Sequence, residues 1–400
     1  MKSFISLEES LEILNSNIEK CEKEKVFILD GIGNIIAEDI YSKINNPPFD
    51  KSAMDGYAIN IKNINENSRY KVIGEVFAGD VFKGEVREHE AVKIMTGAPI
   101  PKGCNGVIKK EDVLSENEYI TLLKDIEKDA NICFKGEDIK ENQILIRCGK
   151  KLEYSDIGIL SSSGIKEITV YKKPKIAFLT TGNEVFDIDK ELEEGKIYNS
   201  NKYSILARIL ELGFNCEYIE HSDDNAYDIG SRIKELSNKV DLIITTGGAS
   251  VGDKDLLKEA IDMINGEKLF WKITIKPGSA VLASKFNQTP IISLSGNPTA
   301  ALTTFELLVK PILEKLSGKD EISINREKAV LSDYYNKCSK QRRFLRGKVF
   351  HIDEKQYVSI TQVKSGNGIL SSTLDSNCLI EIEKGNIGLK KGEIATIIKL

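Results

Sequence analysis

Carboxylates, hydroxyls and glycine crowd the segment Asn45–Asn60, NNPPFDKSAMDGYAIN. Its prolines and polar residues suit neither a helix nor a strand. Long ordered loops of this make-up are commonly functional. Asp50, Ser52, Asp55 and Gly56 offer side chains and backbone shape for meeting a ligand. Two further loops set a hydroxyl or a carboxylate beside glycine: Met95-Thr96-Gly97-Ala98-Pro99 and Lys135-Gly136-Glu137-Asp138. Each alone is also what an ordinary turn looks like.

The second half carries three more loops, each following an apolar run: Thr180–Glu184 (TTGNE), Thr245–Asp255 (TTGGASVGDKD) and Ser293–Ala300 (SLSGNPTA). In TTGGASVGDKD, Gly247, Gly248 and Gly252 permit close backbone approach, and Ser250 adds a hydroxyl. Asp253 and Asp255 are oxygen ligands of the kind that hold Mg2+ on a phosphate; the plain alternative is a polar turn with an Asp helix cap. In Ser295-Gly296-Asn297-Pro298, Asn297 is a helix cap and Pro298 suits the first helical position, so the free N–H groups there favour an anion. Lys272 and Lys276 stand at i and i+4. On a strand they share a face, where they neutralise a phosphate or oxyanion or simply form a solvated pair. Neither a Walker loop nor a GxGxxG loop is present at the right place.

Composition narrows the chemistry. The 400 residues predict two to four domains. A net charge of −5 argues against a nucleic-acid binder, but not against an anionic small substrate. The seven cysteines form no CxxC and no tight Cys/His pair, which argues against disulfides or zinc and fits a reducing cytoplasm. Three histidines leave carboxylates and lysines to carry any chemistry. No secretory leader is recognised: Ser6-Leu7-Glu8-Glu9 reads instead as a capping box. No run of about twenty apolar residues reads as a membrane span.

The elements that must position these residues change texture along the chain. Residues 1–44 read as a helix or two with short connections. Short β-leaning runs (70–77, 91–95, 106–109, 118–123, 143–146) follow, and a helix covers 152–160, with Ser155 as its cap and Gly164 as its stop. From Lys175, strands and helices alternate: strands at 176–180, 216–220, 241–246, 269–275 and 290–294, and a long final helix over 298–316. That alternation predicts a doubly wound, mostly parallel sheet, whose ligands sit beyond the carboxyl ends of its strands. The fold class expected is α/β plus β and multidomain. A helical linker domain covers 1–47 and 146–172, an inserted small β domain 48–145, the α/β domain 173–318 and a C-terminal β domain 319–400.

Taken together, PPFDKSAMDGYA, IMTGAPIPKGCNGVIKKED, GEDI, TTGNEV, KIYNSN, TTGGASVGDKD, FWKITIKPG and SGNPTAA resemble, in order and over nearly the whole chain, the molybdopterin molybdenumtransferases. The bacterial form of that family is MoeA and the animal counterpart is the E domain of gephyrin. The resemblance implies an elongated four-part subunit, a homodimer and a central molybdopterin-binding domain. It implies insertion of molybdenum from molybdate into adenylated molybdopterin, with release of AMP and help from Mg2+. Glu184 and the loop ending in Asp255 would hold the metal and pyrophosphate. Lys272 and Lys276 would meet phosphate or molybdate oxygens. Asp55, Thr96 and Asp138 would position molybdate and water, facing the α/β site across the dimer interface, with Asp223 a further matching carboxylate. The adenylyltransferase of the same pathway and apo-molybdoenzymes are implied partners; nucleic acid and membrane are not.

Three positions depart from the family pattern. Ser295 stands where it has proline, Ser279-Ala280 where it has Lys-Pro, and Cys133-Phe134 where it has arginine before the Gly-Glu-Asp turn. All three touch the expected anion pocket and bear on the choice of molybdate over tungstate. The alternatives are a molybdopterin adenylyltransferase, which leaves the β domains unexplained, and a non-catalytic carrier or scaffold.

Overall fold

The computed structural model describes residues 1–62, 67–247, 256–361 and 369–400. The chain divides into two compact units. One comprises Met1–Glu24, Gly33–Ala37 and Val170–Leu400, the other Lys25–Ile32 and Glu38–Thr169.

The first unit is built on a seven-stranded sheet. Its strands lie in the order Lys2–Ile5, Glu267–Ile273, Leu282–Phe286, Thr289–Leu294, Leu242–Thr246, Ile176–Thr181, Cys216–Ser222. Every pairing is parallel except those of Leu282–Phe286, which runs against both neighbours. The runs IAFLTT, LIITT and TPIISL are buried throughout, as strands covered on both faces must be. Alternate residues feed two cores. Ile176 and Phe178 pack with Ile205, Ile209, Phe305 and Leu308 on one face. Ala177 and Leu179 pack with Ile229, Ile233 and Ile261 on the other. The doubly wound reading is therefore correct.

The helix expected over 298–316 forms with a π turn, Phe305–Val309, between Pro298–Thr304 and Lys310–Leu316. Pro311 has no N–H to give and crowds the carbonyl one turn back. Widening the preceding turn relieves both problems.

The β-leaning tail forms five strands that close into a ring, Arg342–Ile352, Lys355–Ile360, Glu327–Leu331, Ile394–Lys399 and Cys378–Ile382, the last returning to the first; the short strand Ile275–Lys276 pairs alongside Arg342–Ile352. Closure leaves no free edge.

In the second unit, four of the five expected runs join a six-stranded sheet, Gly106–Lys109, Gly56–Ile59, Glu90–Ile94, Arg69–Val76, Tyr119–Leu122, Val113–Glu116. Val113–Glu116 is added to them, as is Gly56–Ile59, a strand within the loop read as neither helix nor strand, while Ile144–Ile146 pairs instead with Ile40–Tyr41. Ala58 and Val92 serve one core, Ile59 and Ala91 the other.

Two local expectations need correction. Residues 1–44 hold one helix, Leu7–Asn17, capped by Ser6, and the rest of the stretch is β-leaning or irregular. Lys2–Ile5 is an edge strand of the main sheet, set there by parallel pairing with Glu267–Ile273. Ser155 lies inside the helix Tyr154–Ser162; the cap is Glu153, in a reciprocal capping box with Asp156.

Candidate functional site

Six of the seven strands of the main sheet end on the same side. Beyond the ends of Ile176–Thr181, Leu242–Thr246 and Thr289–Leu294, three adjacent strands, lies a cleft open to solvent. Glu184, Gly247, Gly296 and Pro298 of the expected site line it, together with Thr181, Asn199 and Asn201.

Glycine shapes this cleft. Gly247 has φ +93°, and a Cβ there would lie 2.2 Å from the Thr181 carbonyl and 2.7 Å from Thr181 Oγ1. Any side chain there would collide with the buried Thr181 hydroxyl. A Cβ on Gly296 would come within 3.7 Å of the Gly247 Cα, so the two glycines face each other. Glu184 is exposed, and its carboxylate folds back over Gly182, 3.1 Å from where a Cβ would sit.

The two asparagines of KIYNSN carried part of the family resemblance but were not read as site residues. Asn199 caps the helix Ser200–Glu211, accepting from Lys202 N–H, and donates to Thr180 Oγ1 at 3.2 Å. Asn201 Nδ2 donates to the Gly296 carbonyl at 2.8 Å, tying the helix start to the SGNP turn. The available signal was their place: a capping Asn after a short strand, at the carboxyl end of the sheet.

The SGNP turn folds as expected, with a consequence for its chemistry. Asn297 Oδ1 accepts from Thr299 N–H (3.1 Å) and Ala300 N–H (3.3 Å), and Ser295 Oγ accepts from Asn297 N–H (3.2 Å). Pro298 has no N–H. The donors assigned to an anion are therefore engaged within the turn itself.

The two lysines do not share a strand face. Lys272 is buried, with φ +62°, near the end of the Glu267–Ile273 strand. That left-handed residue breaks the alternation on which the i, i+4 argument rests. Its ammonium lies 3.8 Å from the Trp271 ring centroid and 5.3 Å from that of Phe4, a cation–π position. Lys276 is exposed and pairs in the C-terminal sheet. Ser279, at a departure position, donates its hydroxyl to the Ile273 carbonyl at 2.8 Å.

Asp223 is exposed just past the Cys216–Ser222 strand and is not among the cleft residues. Its neighbour Asp224 instead exchanges hydrogen bonds with Asn183. Gly248, Ser250, Gly252, Asp253 and Asp255 lie outside the described residues. Among the described residues, no group of three or more His, Cys, Asp or Glu is placed to hold a metal ion, and no helix is long and apolar enough to cross a membrane.

In the second unit, the Asn45–Asn60 loop is pinned by its backbone. Ser52 N–H donates to Ala98 O, Gly97 N–H to Ser52 O and Gly136 N–H to Pro47 O. Asp55 and Thr96 meet directly: Asp55 Oδ1 accepts from both the N–H and the hydroxyl of Thr96, each at 2.8 Å. These two bonds, the backbone one foremost, hold the Asp55 carboxyl below its usual range. Asp138 accepts from Asn46 Nδ2 at 3.1 Å. Asp50 accepts from Lys135 N–H at 2.7 Å, which fixes the turn that carries Cys133-Phe134.

Comparison with known proteins extends over the whole chain. The family model of the MoeA N-terminal region (domain I and II) matches residues 5–164. That of a probable molybdopterin binding domain matches 177–315, which holds the cleft, and that of the MoeA C-terminal region (domain IV) matches 328–400. A molybdopterin molybdenumtransferase of Haemophilus influenzae is 34% identical, over 94% of this chain and 93% of that one. One of Staphylococcus aureus is 35% identical, over 92% and 88%. The solved molybdopterin biosynthesis moea protein of Pyrococcus horikosii superposes with a TM-score of 0.86 at 32% identity, covering 99% of this chain and 98% of its own. On these grounds the chain belongs to the molybdopterin molybdenumtransferase family, transferases of molybdenum-cofactor biosynthesis.

Proposed function

We propose that the protein inserts molybdenum from molybdate into adenylated molybdopterin, releasing AMP. The observation that carries this reading is the cleft at the carboxyl ends of Ile176–Thr181, Leu242–Thr246 and Thr289–Leu294. It joins Glu184 to a glycine-shaped, oxygen-lined pocket within the stretch matched by the molybdopterin-binding model. Mg2+ is the proposed cofactor. Its preference for oxygen ligands and for one or two carboxylates plus substrate phosphates fits an exposed carboxylate, Glu184, lining the cleft. Glu184 would hold the ion, with Asp255 as second carboxylate. Bound there, Mg2+ would neutralise the charge of the phosphoanhydride.

The chain's own residues have separable tasks in this reading. Asn201 and the SGNP turn shape the pocket. Gly247 gives the substrate backbone-close approach. Asp55, whose charged form the Thr96 hydrogen bonds favour, and Thr96, which holds it, position molybdate and water together with Asp138. Lys276 and Lys272 supply positive charge toward the oxyanions; Lys272 would have to leave its aromatic rings to reach one. The working form is a cytoplasmic homodimer that receives its substrate from an adenylyltransferase and passes its product to apo-molybdoenzymes.

The test is AMP release from adenylated molybdopterin with Mg2+, with and without molybdate, followed by activation of a cofactor-free molybdoenzyme. Molybdate-dependent release with activation is expected. Tight binding without release would instead support the carrier reading, which the engaged donors of the SGNP turn and the placement of Lys272 favour.

A further inference from the structure

Two oxygens of the cleft have no hydrogen-bond partner among the described residues: Thr181 Oγ1 and Asn201 Oδ1. Both residues are more than nine-tenths buried, at 3% and 8% exposure. The direction of the Asn201 amide is fixed by chemistry. The Gly296 carbonyl can only accept, so the nitrogen end of Asn201 must face it, and Oδ1 is left as an acceptor with nothing to accept from. A buried acceptor without a donor is costly and calls for an occupant that brings one. A phosphate at neutral pH brings oxygens and little else, so this inner end is badly matched to the phosphoanhydride. The exposed carboxylate of Glu184 lines the same cleft and is the natural place for a metal with phosphates.

We propose that Asn201, with Thr181 beside it, is a specificity-determining pair that reads an N–H donor edge on the substrate's heterocycle. This rests on the molybdopterin reading above and deepens it: a pterin carries both a ring N–H and an amino group. Asn201 sets the sign of recognition, since its oxygen cannot donate. Thr181 follows, because a hydroxyl adapts to either role.

The experiment is fluorescence titration of the full chain with three probes: pterin, pterin methylated on its ring N–H, and pterin with a dimethylated amino group. Each is measured on wild type and on Asn201→Leu, with and without a metal chelator. Wild type is expected to favour pterin over at least one methylated probe by about tenfold, the scale of one net hydrogen bond. Asn201→Leu should weaken pterin by about the same factor and leave that probe unchanged, so that the preference disappears. Chelation should change neither result. Equal weakening of all three probes, or no preference in wild type, would overturn the proposal by assigning the two oxygens to ordered water or to the SGNP turn alone. A preference lost on chelation would overturn it in favour of metal-bound water as the donor. If Asn201→Leu fails to fold, Thr181→Val carries the same test. Pterin failing to bind wild type while molybdate-dependent AMP release persists would sink this inference and leave the reaction standing. Intact discrimination without AMP release would do the reverse.

Discussion

The cleft of the α/β unit and the Asn45–Asn60 loop of the second unit solve opposite problems with similar residues. In the cleft, polar atoms are buried and two of them lack partners. In the loop and the Lys135–Asp138 turn hydrogen-bonded to it, Asp50 and Asp138 are exposed, Asp55 is half-buried, and each already has a donor. Unpaired buried oxygens demand a ligand, so the cleft reads as a place of binding. Satisfied carboxylates demand nothing. Hydrogen bonds aim all three, and those from Thr96 favour the charged form of Asp55, which suits the chemical step more than affinity.

Substitutions can break that contrast. The largest effect is expected at Glu184. Glu184→Ala should lower AMP release on the order of 10²–10³-fold, the scale for removing one electrostatic contact from an active site, and should blunt its dependence on Mg2+. Steady-state rates across a magnesium titration check this; near-normal turnover would remove Glu184 from the chemistry.

Next comes Asp55→Asn, expected to cost most of the turnover with little change in melting temperature or pterin affinity. It also carries a pH signature. The folded carboxyl titrates below its unfolded value, so its contribution to stability is present above the unfolded pKa near ~3.9 and is lost as pH falls through the folded one. Acid unfolding curves should therefore show a smaller loss below about pH 4 for Asp55→Asn than for wild type.

A smaller effect, on stability as well as binding, is expected at Gly247. Gly247→Ala places a methyl 2.2 Å from a backbone oxygen at φ +93°. A cost of about 1–3 kcal/mol in urea unfolding is expected, together with a narrowed cleft. An alanine variant of wild-type stability and pterin affinity would contradict the account of this wall.

The smallest is Asp187→Asn. Hydrogen bonds from Lys202 and then Tyr203 bring the Asp187 carboxyl down to about 2, and so hold the 185–198 segment near the cleft against the helix Ser200–Glu211. Its contribution is present above the unfolded pKa and is lost between about pH 4 and about pH 2. The side chain is 32% exposed and screened by solvent, so less than about 1 kcal/mol at pH 7 is expected.

What the sequence made legible follows the range of the interactions involved. Strands such as IAFLTT and the Asn297 cap were readable because burial on both faces and local capping leave marks within a few residues. The Lys2–Ile5 strand was not, since its partner lies far along the chain and four residues carry little periodicity. The Lys272 side chain was misdirected because a left-handed backbone at a lysine has no sequence signal. The polarity of Asn201 depends on a carbonyl 95 residues away, so the acceptor in the cleft could not be read from KIYNSN. Glu184, Gly247, Gly296 and Pro298 were found together because each follows a recognisable strand of one sheet, and the sheet's topology does the rest.

The most direct test of this division is a paired measurement on Asp55→Asn: pterin affinity by fluorescence, and molybdate-dependent AMP release on the same preparation. The account predicts wild-type affinity with most of the release gone. Affinity and release falling by the same factor would contradict it, by showing that the exposed loop binds the substrate and that the cleft does not act alone in holding it.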